Sequence, residues 1–191
     1  MTIQEKYLAA RPQISNGDIV LFRGTDFIAK SIQYFDNAYY NHCGVVFNKG
    51  DRLFVLAAVA QGVHPDFLSL QINTFEDFAI IKPNKDFFHS GQVDLSVDCA
   101  LSKAEAGIKY DFDLILRIAF ERKAGIDIKN LGESETRDIC SMFAGQRYAT
   151  QCLAASSYVS ELNKGGFLTP EDLVRFIQPQ EFTLLFDDGK K

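Results

Sequence analysis

Residues 42–59 read His42-Cys43-Gly44-Val45-Val46-Phe47-Asn48-Lys49-Gly50-Asp51-Arg52-Leu53-Phe54-Val55-Leu56-Ala57-Ala58-Val59. The short run of apolar, β-branched and aromatic residues after His42 predicts a strand over 42–47. Asn48-Lys49-Gly50-Asp51 is a hairpin signal, because Asn and Gly tolerate the positive φ that tight turns demand. Arg52–Val59 is then the antiparallel partner. An antiparallel hairpin at this point makes the first half of the chain a sheet-building unit, and the neighbouring segments extend it.

Toward the N-terminus, residues 2–13 predict a short amphipathic helix. Ser15-Asn16-Gly17-Asp18 predicts a turn and Ile19–Phe22 a buried strand. Asp26 is placed to cap a helix over 27–35, with Phe27, Ile28, Ile32 and Phe35 on its inner side. Toward the C-terminus, Gly62–Ile72 and Phe78–Lys82 read as further strands, completing a meandering antiparallel sheet. The second half changes character. Helices are expected over 94–109, with Leu95, Cys99, Ala106 and Ile108 as the apolar positions, over 110–123, and over 138–155; residues 125–132 read as loop. Thr169-Pro170-Glu171-Asp172 is a helix start, with Thr as cap, Pro first and acids in the first turn. Phe182–Phe186 reads as a closing strand. Strands first and helices later indicate an α+β fold rather than a parallel α/β sheet.

The 191 residues are 47% hydrophobic and carry a net charge of −5. That length and apolar content suit one domain spanning 1–191. The acidic balance, with charges of both signs interspersed, lacks the basic face of a nucleic-acid binder. Met1–Gln13 is too polar for a signal peptide, and no stretch approaches the roughly 18–20 apolar residues of a membrane span. A soluble, cytoplasmic protein is therefore expected. Cys43, Cys99, Cys140 and Cys152 form no CxxC pair and no metal-type spacing. They are read as free thiols, and neither a metal nor an organic cofactor is expected.

Two of these residues carry the chemical argument. Cys140 falls at the first turn of the helix expected over 138–155, where unpaired backbone N–H groups favour a thiolate. By itself, a cysteine beside Met142 and Phe143 reads equally as core packing. His42 opens its strand, and alternation sends it to the face opposite Cys43, out of the core if Cys43 packs inward. Alone it reads as an exposed strand-end histidine. Together, an imidazole and a thiol form an activated nucleophile. Gly44 allows another backbone or a ligand to come close. His64 and His89 read as solvated. Tyr110, in Tyr110-Asp111-Phe112-Asp113, is either a packing residue at a helix junction or a donor to substrate or oxyanion.

Five segments carry a family resemblance in sequence order: Asn16–Phe22, Asn41-His42-Cys43-Gly44-Val45-Val46, Lys109-Tyr110-Asp111-Phe112, Ile139-Cys140-Ser141-Met142-Phe143, and Phe167–Leu173 with its Thr169-Pro170-Glu171-Asp172-Leu173 core. Together they resemble the circularly permuted branch of the NlpC-type, papain-like cysteine peptidases, the YiiX-like proteins. The histidine precedes the cysteine, as that branch requires. The resemblance implies a permuted papain-like fold, an antiparallel sheet packed against a helical half bearing Cys140. It implies Cys140 as nucleophile and His42 as base. In this family the strand after the histidine commonly bears a polar residue, often Glu; here Ala57 stands at that position and cannot orient an imidazole. Gln61 and His64 are the nearby polar candidates, and neither matches the motif.

The expected activity is hydrolysis of an amide in a small peptide or cell-wall-like fragment through a Cys140 acyl-enzyme. The alternatives are a lipid-directed thioesterase or acyltransferase, which the resemblance also allows, and a binding module that has kept the fold but lost catalysis, which Ala57 favours. The expected partner is a small peptide, amide or acyl substrate.

Overall fold

The computed structural model describes residues 1–59, 61–86, 88–110, 117, 120, 124, 137–138, 170–175 and 182–186. Its centre is a six-stranded sheet in the order β4-β3-β2-β1-β5-β8. The strands are β1 (Ile19–Arg23), β2 (His42–Lys49), β3 (Arg52–Val59), β4 (Gly62–Phe67), β5 (Asp77–Pro83) and β8 (Phe182–Phe186), and every pairing in this sheet is antiparallel. The hairpin quoted above forms as expected. Lys49 pairs with Arg52 across a Gly50-Asp51 loop, and Gly50 takes a φ of 62°. Among the described residues this is a mixed α/β chain built on one antiparallel sheet.

The meander covers β1 to β4 only. β5 returns to the far side of β1, so that β1 is interior, and β8 lies outside β5. The chain makes that return through a short helix, α3 (Leu68–Ile72), where a continuous strand over 62–72 was expected. Leu68, Leu70 and Ile72 alternate like a strand, but only Leu68 and Ile72 are buried, and Leu70 is 57% exposed. Burial at i and i+4 with an exposed residue between them is a helical pattern.

Each face of the sheet has its own core. Cys43, Val45, Leu56, Ile19 and Ile81 pack on one face beneath Val97 and Ala100 of helix α4 (Ser90–Glu105) and Leu173. Val20, Phe22, Val46, Val55 and Ile80 pack on the other beneath Tyr7 and Ala10 of α1 (Ile3–Ala10) and Leu68 and Ile72 of α3. The α1 start is a capping box, in which Glu5 N–H donates to Thr2 Oγ1 and Thr2 N–H to Glu5 Oε2. Lys6, on the same helix, pairs with Asp77 at 3.0 Å, both nearly removed from solvent. At the Ser15–Asp18 turn, the buried Asp18 carboxylate accepts from Ser15 N–H and Lys82 Nζ. Burial nevertheless holds its carboxyl above the ordinary aspartate range, against the downward pull of those partners.

Three helix readings are corrected. In α2 (Phe27–Asp36), Asp26 caps as expected, accepting from Ala29 N–H at 2.7 Å, but Phe27 is 84% exposed and the inward residues are Ala29 and Ile32. Phe27 lies two residues before Ala29, about 200° around the helix from it, and so falls on the outer side. In α4 the helix starts at Ser90 and ends at Glu105, earlier than 94–109, and Gly107 (φ 67°) turns the chain after it. The buried face is Ser96, Val97 and Ala100; Leu95 is exposed, Cys99 is half-buried, and Ala106 and Ile108 lie beyond the last turn. Finally, Lys109–Tyr110 and Arg137–Asp138 are not helical. They form two short strands, β6 and β7, paired in parallel with Tyr110 opposite Asp138. Of the helix expected over 110–123, Arg117 and Phe120 are described and are helical. Residues 139–155 and 125–132 lie outside the described residues. The helix start at Pro170 forms as α5 (Pro170–Arg175).

Candidate active site

His42 stands at the first position of β2, opposite Phe22 of β1. As alternation requires, it faces away from Cys43. That face is not solvent, because α1, α3 and the loops after them cover it, and His42 is only 8% exposed. The exposed strand-end reading is therefore corrected: both faces of this sheet are buried.

Three flat rings meet there. The imidazole lies nearly parallel to Phe22 (centroids 5.8 Å apart, planes at 24°) and to Phe75 (5.7 Å, 21°), and the two phenyl rings stack on each other at 4.4 Å. Apolar packing on this scale restricts ring orientation without any hydrogen bond. The imidazole Nε2 is buried and has no hydrogen-bond partner among the described residues. A buried polar atom left in that state costs about 1–3 kcal/mol.

Nε2 belongs to a residue lining a groove of about 360 Å³, together with Asp26, Ile28, Ile32, Asn41, Val59, Gln61 and Phe75. The groove opens where β2 and β3 separate. Their pairing ends at Val45–Leu56; beyond it, β2 continues along β1 while Ala57–Val59 continue along β4. Gly44 sits at this divergence. A Cβ there would lie 2.5 Å from Val55 Cγ2 and 2.7 Å from the Leu56 carbonyl oxygen, so the close approach of β3 requires glycine.

Ala57 is 4% exposed and lies on the same sheet face as His42, contributing only a methyl group. Opposite it in β4 is His64, which is exposed and lines a neighbouring depression with Asp66 and Gln71. Of the two polar candidates, Gln61 shares the groove with His42 and His64 does not. His89 is exposed at the start of α4, where its N–H donates to Gln92 Oε1.

Cys140 lies outside the described residues, and so does the side chain of Tyr110. The backbone leading to Cys140 is described as far as Asp138. β7 pairs with β6, and Ile108, immediately before β6, accepts a hydrogen bond from Val63 N–H at 2.9 Å. The Ile108 carbonyl oxygen also lies 2.8 Å from where a Cβ of Gly62 would stand. β6 is therefore seated on the β3–β4 hairpin, whose Val59 and Gln61 line the His42 groove, and β7 is held to β6.

The fold has a solved counterpart. The crystal structure of the metalloprotein YiiX from Escherichia coli O157:H7 (DUF1105) superposes with a TM-score of 0.63 at 17% identity, over 92% of this chain and 98% of that one. The fold is YiiX-like. No family model matches the sequence, and no curated protein matches it. Among the described residues of this YiiX-like fold, no group of three His, Cys, Asp or Glu side chains converges as a metal site would require. In the groove, Asp26 is the one carboxylate beside His42, and its Oδ1 is engaged by the α2 backbone. The described donor set does not fit a metal. Among the described residues, no helix is long and apolar enough to cross a membrane.

The sequence reading missed Phe22 and Phe75 as the rings that hold the imidazole, and Asn41 as a groove residue. Phe75 carried no signal, since it lies 33 residues from His42 in a loop without a motif.

Proposed function

We propose that this chain is a thiol hydrolase of the circularly permuted, papain-like type, with Cys140 as nucleophile and His42 as general base, acting on an amide carbonyl of a small peptide-like substrate. The observation that carries this reading is the buried Nε2 of His42, which has no hydrogen-bond partner among the described residues and belongs to a side chain lining the groove. An imidazole held flat by two phenyl rings on the wall of a cavity, with a nitrogen that no described residue engages, is poised to exchange a proton with a group that enters there. The chain path adds support. Cys140 lies two positions beyond Asp138, at most about 7 Å of extended chain, and Asp138 pairs with β6, whose preceding residue Ile108 is hydrogen-bonded to the hairpin that walls the groove.

In this mechanism the Cys140 thiol gives its proton to His42 Nε2 and attacks the carbonyl carbon. The His42 proton passes to the leaving amine, and water then releases the acid. Aromatic packing takes over the orienting role that Ala57 cannot supply, at the cost of the electrostatic support a carboxylate would give the imidazolium. Ile28, Ile32, Val59 and Phe75 give the groove apolar walls, which favours a substrate bearing an apolar group next to the scissile carbonyl and keeps an ester or acyl substrate as the second reading.

The test is the pH dependence of Cys140 alkylation by iodoacetamide, followed by mass spectrometry in wild type and His42→Ala. The expected outcome is fast alkylation persisting well below the ordinary thiol pKa of about 8.5, and slowed by the substitution. Alkylation no faster than that of a free thiol, and indifferent to His42, would leave a non-catalytic binding module as the better account.

A further inference from the structure

Asn41 immediately precedes His42, is 6% exposed, and lines the same groove. Its backbone N–H donates to the Phe22 carbonyl at 3.0 Å, which anchors it to β1. Its side-chain Oδ1 accepts two hydrogen bonds, from Gly24 N–H at 2.7 Å and from Gln33 Nε2 at 2.9 Å. Gln33 Nε2 also donates to the Gly24 carbonyl at 2.9 Å.

These contacts settle which way both amides point. A backbone N–H can only donate, so the Asn41 atom facing Gly24 N–H is the oxygen. A backbone carbonyl can only accept, so the Gln33 atom facing it is the nitrogen. With Oδ1 committed to both partners, Asn41 has only its Nδ2 amino group left to offer. Among the described residues Nδ2 has no hydrogen-bond partner. Gly24 leaves room for the amide in this position, since a Cβ there would lie 3.3 Å from Nδ2 and 3.0 Å from Ala29 Cβ. Holding the β1–α2 junction requires only an acceptor at this position, so the amino group is surplus to that structural task. It is a fixed donor on the wall that also carries His42.

We propose that Asn41 donates a hydrogen bond from Nδ2 to the carbonyl oxygen of the substrate, an inference that rests on the Cys140–His42 reading. The donor is aligned before substrate arrives. It meets an oxygen that gains negative charge as the thiolate adds, so the bond strengthens toward the transition state. The substrate class this selects is a carbonyl compound whose oxygen faces Asn41 while its apolar flank lies against Ile28, Ile32 and Phe75.

The experiment compares two reactions at Cys140 in the full-length protein, each followed by mass spectrometry. With p-nitrophenyl acetate, the thiolate forms a C–S bond to the carbonyl carbon through a tetrahedral oxyanion. The C–O bond then breaks, p-nitrophenolate leaves with the electron pair, and the thiol proton stays on His42. With iodoacetamide, the thiolate displaces iodide at a saturated carbon and no oxyanion forms. Asn41→Asp keeps an oxygen for Gly24 N–H and Gln33 but removes the donor, and Asn41→Ala removes the donor without adding charge.

The expected result is a fall of about 10²-fold in the ratio of acylation to alkylation rates in both variants, the scale on which a single oxyanion donor acts. Gln33→Met guards against misfolding of the first pair. It frees the Asn41 amide to rotate and should lower the same ratio by about 10-fold, a smaller part of the same donor effect. An unchanged ratio alongside fast, His42-dependent alkylation would make Asn41 a structural residue only and overturn the proposal. Slow alkylation of the wild type, indifferent to His42→Ala, would remove the Cys140–His42 reading, and the Asn41 assignment with it.

Discussion

Replacing His42 by phenylalanine should make the protein more stable and inert. The imidazole already lies nearly parallel to Phe22 and Phe75, so a phenyl ring inherits a stacked position beside a groove of about 360 Å³ with room for its extra atoms. The substitution removes the buried Nε2 that has no partner among the described residues. Relief of that desolvation is worth about 1–3 kcal/mol. For a chain of this size each kcal/mol moves the melting temperature by about 2–4 °C. A central gain of about 2 kcal/mol therefore predicts a rise of about 4–8 °C. Thermal unfolding followed by circular dichroism reads this directly, and Cys140 alkylation in the same samples should fall to the rate of an unassisted thiol. Gaining stability while losing reactivity is the signature of a residue kept for function rather than packing. A lower melting temperature in His42→Phe would refute the reasoning, because it would mean that Nε2 is satisfied and that the imidazole holds the fold together.

Two further substitutions test the framework around the site. Gly44→Ala forces a Cβ to within 2.7 Å of the Leu56 carbonyl oxygen, and overpacking of this kind should cost about 1–3 kcal/mol, lowering the melting temperature. Gly91→Ala, with nothing within 4 Å of its Cβ position, is the control and should leave stability unchanged or slightly raised; equal melting of the two variants would mean that β3 does not approach Gly44 as described. Lys6→Met strips the buried Asp77 carboxylate of its cation, leaving it the Tyr39 hydroxyl and Phe78 N–H. The expected loss is about 3–5 kcal/mol in denaturant unfolding, partly recovered when Asp77→Asn is added; a single variant as stable as wild type would show that the pair contributes nothing.

Local pattern was enough to find most of the sheet. β1, β2, β3, β5 and β8 are short apolar runs bounded by turn residues, and both the period and the turn chemistry act over a few residues. α3 was lost because Leu68, Leu70 and Ile72 satisfy a strand period by residue type, while burial selects only two of them. Phe27 and Leu95 failed for a related reason: composition marks a residue as apolar, but only the helix's docking angle decides whether it is covered. The motif around His42 located the residue and, through alternation with Cys43, its face.

What the sequence by itself determined was therefore the antiparallel hairpin and the separate faces of His42 and Cys43. Each follows from rules that operate between chain neighbours. Only the tertiary structure decided that His42 is buried, that Phe22 and Phe75 orient it, and that Asn41 is turned by Gly24 and Gln33, 17 and 8 residues away. It alone decided that β6 and β7 pair in parallel across 28 positions and that β6 rests on the hairpin beside the groove. Hydrogen-bond direction and desolvation depend on which groups arrive from elsewhere in the chain, and that arrival is a property of the assembled sheet.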